Sequence, residues 1–82
     1  MNNKIFIGGL NYNTTESVLR SELEIFGKVV TLRVITDRET GKSKGYAFAT
    51  YEDCSCAEKA IEALNNTMFD DRRIGVKPSI EK

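Results

Sequence analysis

The chain contains no histidine and no tryptophan, and its only proline is Pro78. Without histidine, the commonest general base and the commonest metal ligand are both missing. Two cysteines, Cys54 and Cys56, cannot close a four-ligand zinc site by themselves. No metal and no cofactor is expected, and the chain is read as non-catalytic. No apolar run approaches the roughly 18 residues that a membrane span requires. The first residues also lack the charged flank and long apolar stretch of a signal peptide. A soluble, intracellular protein is the expectation, with both cysteines free. The sequons Asn13-Thr14-Thr15 and Asn65-Asn66-Thr67 are then chance matches. A net charge is missing too: twelve basic residues face twelve acidic ones. The total points to no polyanionic partner, so the placement of the charges has to carry the argument.

What is present is ordinary globular material. Eighty-two residues, 40% hydrophobic and 29% charged, suffice for one self-folding domain and leave no room for two. Residues 1–82 are therefore expected to form one domain, with a core over about 4–77 and a tail over 78–82.

Lys4 to Leu10 is a short apolar run that leaves through Gly8-Gly9, the pattern of a buried strand. Thr14-Thr15-Glu16 supplies an N-cap and an acidic first turn for an amphipathic helix bearing Leu19, Leu23 and Phe26, with Gly27 as its stop. Val29 to Ile35 and Lys44 to Tyr51 alternate as strands, joined by a seven-residue polar loop with a turn at Gly41. Asp53 or Ser55 can cap a second helix, Ser55 with Glu58 as a capping box, and Ala57, Ala60, Ile61 and Leu64 form its apolar stripe. A polar stretch containing Phe69 leads to a last strand, Arg73 to Lys77, closed by Pro78. The order β-α-β-β-α-β predicts an α+β, ferredoxin-like sandwich: a four-stranded antiparallel sheet with two helices on one face.

One face of such a sheet lies against the helices, and the two-residue period of a strand assigns every side chain to one face. Ile5, Ile7, Leu32, Val34, Ala47, Ala49, Tyr51, Ile74 and Val76 fall inward. Lys4, Phe6, Arg33, Lys44, Tyr46, Phe48, Thr50, Arg73 and Lys77 fall outward. Three aromatics and five cations thus share an open face to which no carboxylate is assigned. The helices, in contrast, carry Glu16, Glu22, Glu24, Asp53, Glu58 and Glu62 against Arg20 and Lys59. Exposed strand aromatics can serve only cross-strand packing. Three of them ringed by cations instead form a surface on which bases can stack while phosphates meet lysine and arginine.

At these residues the chain resembles the RNA recognition motif family over about Lys4 to Lys77. Lys44-Gly45-Tyr46-Ala47-Phe48-Ala49-Thr50-Tyr51 resembles the family's octamer, basic-Gly-aromatic-Gly/Ala-aromatic-aliphatic-x-aromatic. Ile5-Phe6-Ile7-Gly8-Gly9-Leu10 resembles its companion hexamer. The Gly8-Gly9 pair is similar to that of heterogeneous nuclear ribonucleoproteins, and the domain as a whole resembles those of such proteins and of glycine-rich RNA-binding proteins. The resemblance implies stacking on Phe6, Tyr46 and Phe48 and a phosphate contact for Lys44. It further implies single-stranded RNA as partner, with single-stranded DNA as an alternative, and a monomer at work in RNA processing in the nucleus or the cytoplasm. The departures are Gly9 for the frequent asparagine, Ala49 for a larger aliphatic, and Asp71 where glycine is common.

Other motifs fall short. Gly41-Lys42-Ser43 imitates the end of a phosphate-binding loop, but Thr36 stands where that loop needs glycine, and a strand follows instead of a helix. Gly8-Gly9 lacks the parallel sheet of a dinucleotide site. An acylphosphatase-like hydrolase would place an arginine in the loop after the first strand, and Gly8 to Asn13 contains none. Docking of a protein through the sheet aromatics or the acidic helices stays open as a second reading.

Overall fold

The computed structural model describes residues 3–79. Strand β1 (Lys4–Gly8) is followed by α1 (Glu16–Leu23), β2 (Val29–Thr36), β3 (Ser43–Tyr51), α2 (Cys54–Leu64), β4 (Thr67–Phe69) and β5 (Arg72–Pro78). The sheet runs β2-β3-β1-β5-β4 with every neighbouring pair antiparallel. The two-helix, antiparallel-sheet arrangement is the expected one, but the sheet has five strands, not four. The additional strand β4 is three residues long, too short for alternation to register. It turns into β5 through Asp70 and Asp71, both at positive φ (51° and 67°). Such two-residue hairpins usually announce themselves by Asn-Gly or Asp-Gly, and two aspartates mask the signal. Residues 80–82 of the expected tail lie outside the described residues.

Both helices are held by their caps and one apolar stripe. Thr15 caps α1, its side chain accepting from the Val18 N–H, and Leu19 and Leu23 are fully buried. The helix ends at Leu23, earlier than Phe26 and Gly27 suggest. There Ile25 N–H and Phe26 N–H bond three residues back, to Glu22 and Leu23, which tightens the last turn out of α-helical form. Phe26 still packs on the core from the following turn. Gly27 is required for space: a Cβ there would overlap the Cys56 sulfur of α2. In α2 the cap is Asp53, which accepts from the Ser55 N–H, so the Ser55–Glu58 capping box does not form.

The core lies between the helices and the inward side chains of the sheet. Ile5, Ile7, Ala47, Ala49 and Tyr51 are completely inaccessible, and Ile74 and Val76 nearly so. Tyr51 joins the two layers by donating its hydroxyl to the Leu23 carbonyl at the end of α1, at 2.6 Å. The Leu23 carbonyl thereby holds two donors at the end of the helix, the Tyr51 hydroxyl and the Phe26 N–H. Burial, with Cys56 and Glu24 nearby, pushes the phenol well above the ordinary tyrosine value, so it stays a donor across the physiological range. Strict alternation fails only along β2. Its register against β3 shifts between Val29 and Thr31, so that Val29 is buried while Val30 is left 54% exposed. The β2–β3 loop, Asp37–Lys42, is one residue shorter than expected. It closes on Asp37, whose carboxylate accepts from the Glu39 and Thr40 N–H groups and is held below the usual aspartate value by them.

The loop between β1 and α1 is strapped to the β4–β5 turn. Thr14 is buried, and its hydroxyl donates to the Asp70 carboxylate at 2.6 Å, while the Asn11 amide donates to the Asp70 carbonyl at 3.1 Å. Removing the carboxylate leaves a buried hydroxyl without its acceptor. Asp70→Ala is therefore expected to cost about 1–3 kcal/mol in urea unfolding, and Asp70→Asn, which keeps an acceptor, distinctly less.

The Asp53 cap makes the fold sensitive to acid. Backbone and side-chain hydrogen bonds from Ser55 lower the Asp53 pKa from its ordinary 3.8. A carboxylate whose folded-state value is depressed contributes stability that is fully present above the unfolded value and is lost as pH falls through the folded one. Asp53→Ala should lower the melting temperature at neutral pH, and its deficit against wild type should shrink once the pH drops below 3.8, as followed by circular dichroism.

Candidate nucleic-acid interface

The register of the three central strands decides which outward side chains meet. β1 and β3 pair Phe6 with Phe48, β3 and β2 pair Phe48 with Arg33, and β1 and β5 pair Phe6 with Lys77. Arg33, Phe48, Phe6 and Lys77 therefore form one straight row across four strands on the open face. One step along the sheet, Tyr46 stands opposite Gly8, and on the other side of the row Lys4 stands opposite Thr50.

The three rings form one cluster. Their centroids are 5.4 Å apart for Phe6–Phe48, 5.7 Å for Phe6–Tyr46 and 6.2 Å for Tyr46–Phe48. Interplanar angles of 35°, 60° and 88° show that the rings are mutually tilted or edge-on, not stacked on each other. All three are half-buried at positions where the inward neighbours are fully buried. Two ammonium groups sit at the cluster: Lys4 Nζ is 5.4 Å from the Phe48 centroid, and Lys77 Nζ is 5.4 Å from the Phe6 centroid. That is cation–π distance, and it fixes positive charge beside two of the three rings.

The structure thus gathers six of the eight expected site residues, Lys4, Phe6, Arg33, Tyr46, Phe48 and Lys77, into one patch. Lys44 and Arg73 stand at its periphery, both towards the end of the sheet where β1 exits. Lys44 is exposed and close enough to Asp37 to stabilise that carboxylate, so part of its charge is already answered. Arg73 faces Met68 across β4–β5 and donates to the Asn66 side chain at 3.1 Å.

One residue outside those assignments joins this surface, and two others line a separate recess at the start of β3. Met68, 64% exposed, extends the open face onto β4, the strand the sequence conceals. Tyr12, 65% exposed, lies against Gly45, where a Cβ would come within 3.0 Å of its ring. Gly45 also has a φ of +85°, so glycine is needed there on two counts. Arg72 completes a recess of about 480 Å³ with Tyr12, Lys42 and the residues beside them. An aromatic in an otherwise polar loop, Asn11-Tyr12-Asn13, was the available signal for Tyr12.

Comparison with known proteins accords with this geometry. A family described as RNA recognition motif matches residues 5–75. RNA-binding protein 24 of Danio rerio is 45% identical over 84 aligned positions, which cover 94% of this chain and 36% of that protein. The chain thus spans about a third of the length of the curated relatives it matches. Among solved structures, RNA-binding protein PG1 superposes with a TM-score of 0.92 at 43% identity, covering 96% of this chain and 95% of the other. The structure of the RNA15 RRM with bound RNA (GU) superposes with a TM-score of 0.89 at 27% identity, covering 99% and 86%. With the hexamer on β1, the octamer on β3 and the family matched over nearly the whole chain, the protein belongs to the RNA recognition motif family.

Proposed function

We propose that this chain is a single, non-catalytic module that binds single-stranded RNA on the open face of its sheet. The observation that carries the reading is the cluster of Phe6, Tyr46 and Phe48, with no two centroids more than 6.2 Å apart, flanked by Lys4 and Lys77 at ring distance. Half-buried rings that do not stack on one another leave aromatic surface for bases, and every base has a face that can use it. Lys4, Arg33, Lys44, Arg73 and Lys77 take the phosphates, positioning the strand without reading it. The bound RNA named for the RNA15 structure supports an RNA ligand on this fold. Single-stranded DNA is an alternative ligand of the same surface. The module works as a monomer in RNA processing or mRNA metabolism, inside the cell, in the nucleus or the cytoplasm. Any protein partner uses the acidic helix side, where Val18 and Ile25 are 49% and 69% exposed beside Glu22 and Glu24.

Two measurements test this. Phe48→Ala should lower affinity for a single-stranded RNA by about 1–3 kcal/mol with little change in melting temperature. Loss of folding with affinity retained would invert the assignment of the faces. In a salt titration, three to five phosphate contacts give log affinity against log salt a slope of roughly −2 to −3.5. Lys44→Ala should make that slope shallower by somewhat less than one, and Phe48→Ala should leave it unchanged while lowering affinity throughout. A wild-type slope near zero would mean that the cations are only solvated and would shift weight to protein docking.

A further inference from the structure

Beside the aromatic cluster, on the β5 side, the open face carries a groove of about 360 Å³ lined by Phe6, Gly8, Asn65, Gly75, Val76 and Lys77. Its floor is bare backbone, because Gly8 and Gly75 are register partners on β1 and β5 and neither projects a side chain. The Phe6 ring leans over Gly8, where a Cβ would lie 2.8 Å from Phe6 Cε2. The Lys77 ammonium sits over the same ring.

The far wall is the Asn65 side chain, and its orientation is determined. β4 pairs with β5 only over Ile74 to Arg72, which leaves the outer edge of β5 beyond Ile74 without a strand partner. Asn65, the residue after α2, supplies the missing acceptor: its Oδ1 takes the Val76 N–H at 2.9 Å. Only the amide oxygen can accept, so the amide nitrogen occupies the other branch and offers donors alone. Among the described residues it has no acceptor. A Cβ built on Gly75 would meet only Asn65 Oδ1, at 3.7 Å, which puts the amide on the open-face side of the strand.

We propose that this groove seats one nucleobase of the bound strand, flat against Phe6 and the Gly8–Gly75 floor, and that Asn65 reads its edge by donating an amide N–H to a keto oxygen. The inference rests on the reading of the open face as an RNA interface and adds to it a base preference. Uracil and guanine present a carbonyl oxygen where cytosine and adenine present an amino group. A donor-only group favours the first pair and sets donor against donor in the second. The stacking rings cannot make this distinction, because a π-face is common to all four bases.

The test is selection from a random pool of single-stranded RNA octamers with wild type, Asn65→Asp and Gly75→Val. Asn65→Asp keeps an oxygen for Val76 N–H and replaces the donor by an acceptor. Gly75→Val fills the floor at a site where a Cβ makes only ordinary contact. Both variants should melt within a few degrees of wild type. The wild-type motif should contain one position enriched in uracil and guanine, and Asn65→Asp should lose that preference at that position alone. Swapping the keto base there for its amino counterpart should weaken wild-type binding roughly three- to tenfold, the effect of one hydrogen bond, and should not weaken Asn65→Asp, whose acceptor oxygen then meets a donor. Gly75→Val should weaken binding of the selected sequence by a similar factor or more. If wild type binds RNA but its motif is unchanged in Asn65→Asp, or Gly75→Val binds as tightly as wild type, this inference is wrong while the RNA-binding reading stands. If wild type binds no octamer, the reading beneath it fails as well.

Discussion

The pairing of β1 with β3, Phe6 opposite Phe48 and Ile7 opposite Ala47, is the constraint from which the rest follows. A strand has a period of two, so a slip of one residue would send Ile5 and Ile7 to solvent and drive Phe6 and Lys4 into the helices. Burial of Ile5, Ile7, Ala47, Ala49 and Tyr51 under α1 and α2 opposes that slip with the apolar area of the whole core. The same hydrophobic energy that folds the chain therefore also places the rings and cations of the open face. The small Ala47 and Ala49 sit on β3, an interior strand between β2 and β1, both fully buried, where the helices pack against the sheet.

Charge follows the same division. The chain is neutral as a whole, yet the outward strand positions carry lysines and arginines, while the helices and their caps carry six of the twelve carboxylates. A neutral molecule built this way still presents a positive face to a polyanion at short range, and it does so without the self-repulsion of a highly charged domain. At the margins the division is less clean. Asp37 answers part of Lys44, and Asn66 holds Arg73, so the outermost cations are steadied by partners before any ligand arrives.

Much of this was legible in the sequence because β1, β3 and β5 alternate strictly and the helices have recognisable caps. Phe6, Tyr46, Phe48 and the five cations could be assigned from period alone. The features that escaped are those where a single side chain replaces a pattern. β4 has three residues and a turn of two aspartates in place of a glycine. α1 stops at Leu23 because Ile25 and Phe26 bond back three residues, which no periodicity announces. Val30 is exposed because a register shift interrupts β2. Asn65 reads in the sequence as a helix stop, and only the geometry shows its amide completing the edge of β5.

That last substitution has a consequence for how the molecule behaves in company. A sheet with one uncovered face cannot hide its borders, and an unpaired border strand invites another chain to add to it. Here one border, β2, is broken by irregularities at both ends of its pairing, and the other, β4, is three residues long. Where β4 gives out, the donor at Val76 is already taken by a side chain. Neither border offers a long, flat run of free donors and acceptors. The domain can therefore keep an aromatic face exposed and still resist the edge-to-edge growth that leads to aggregation.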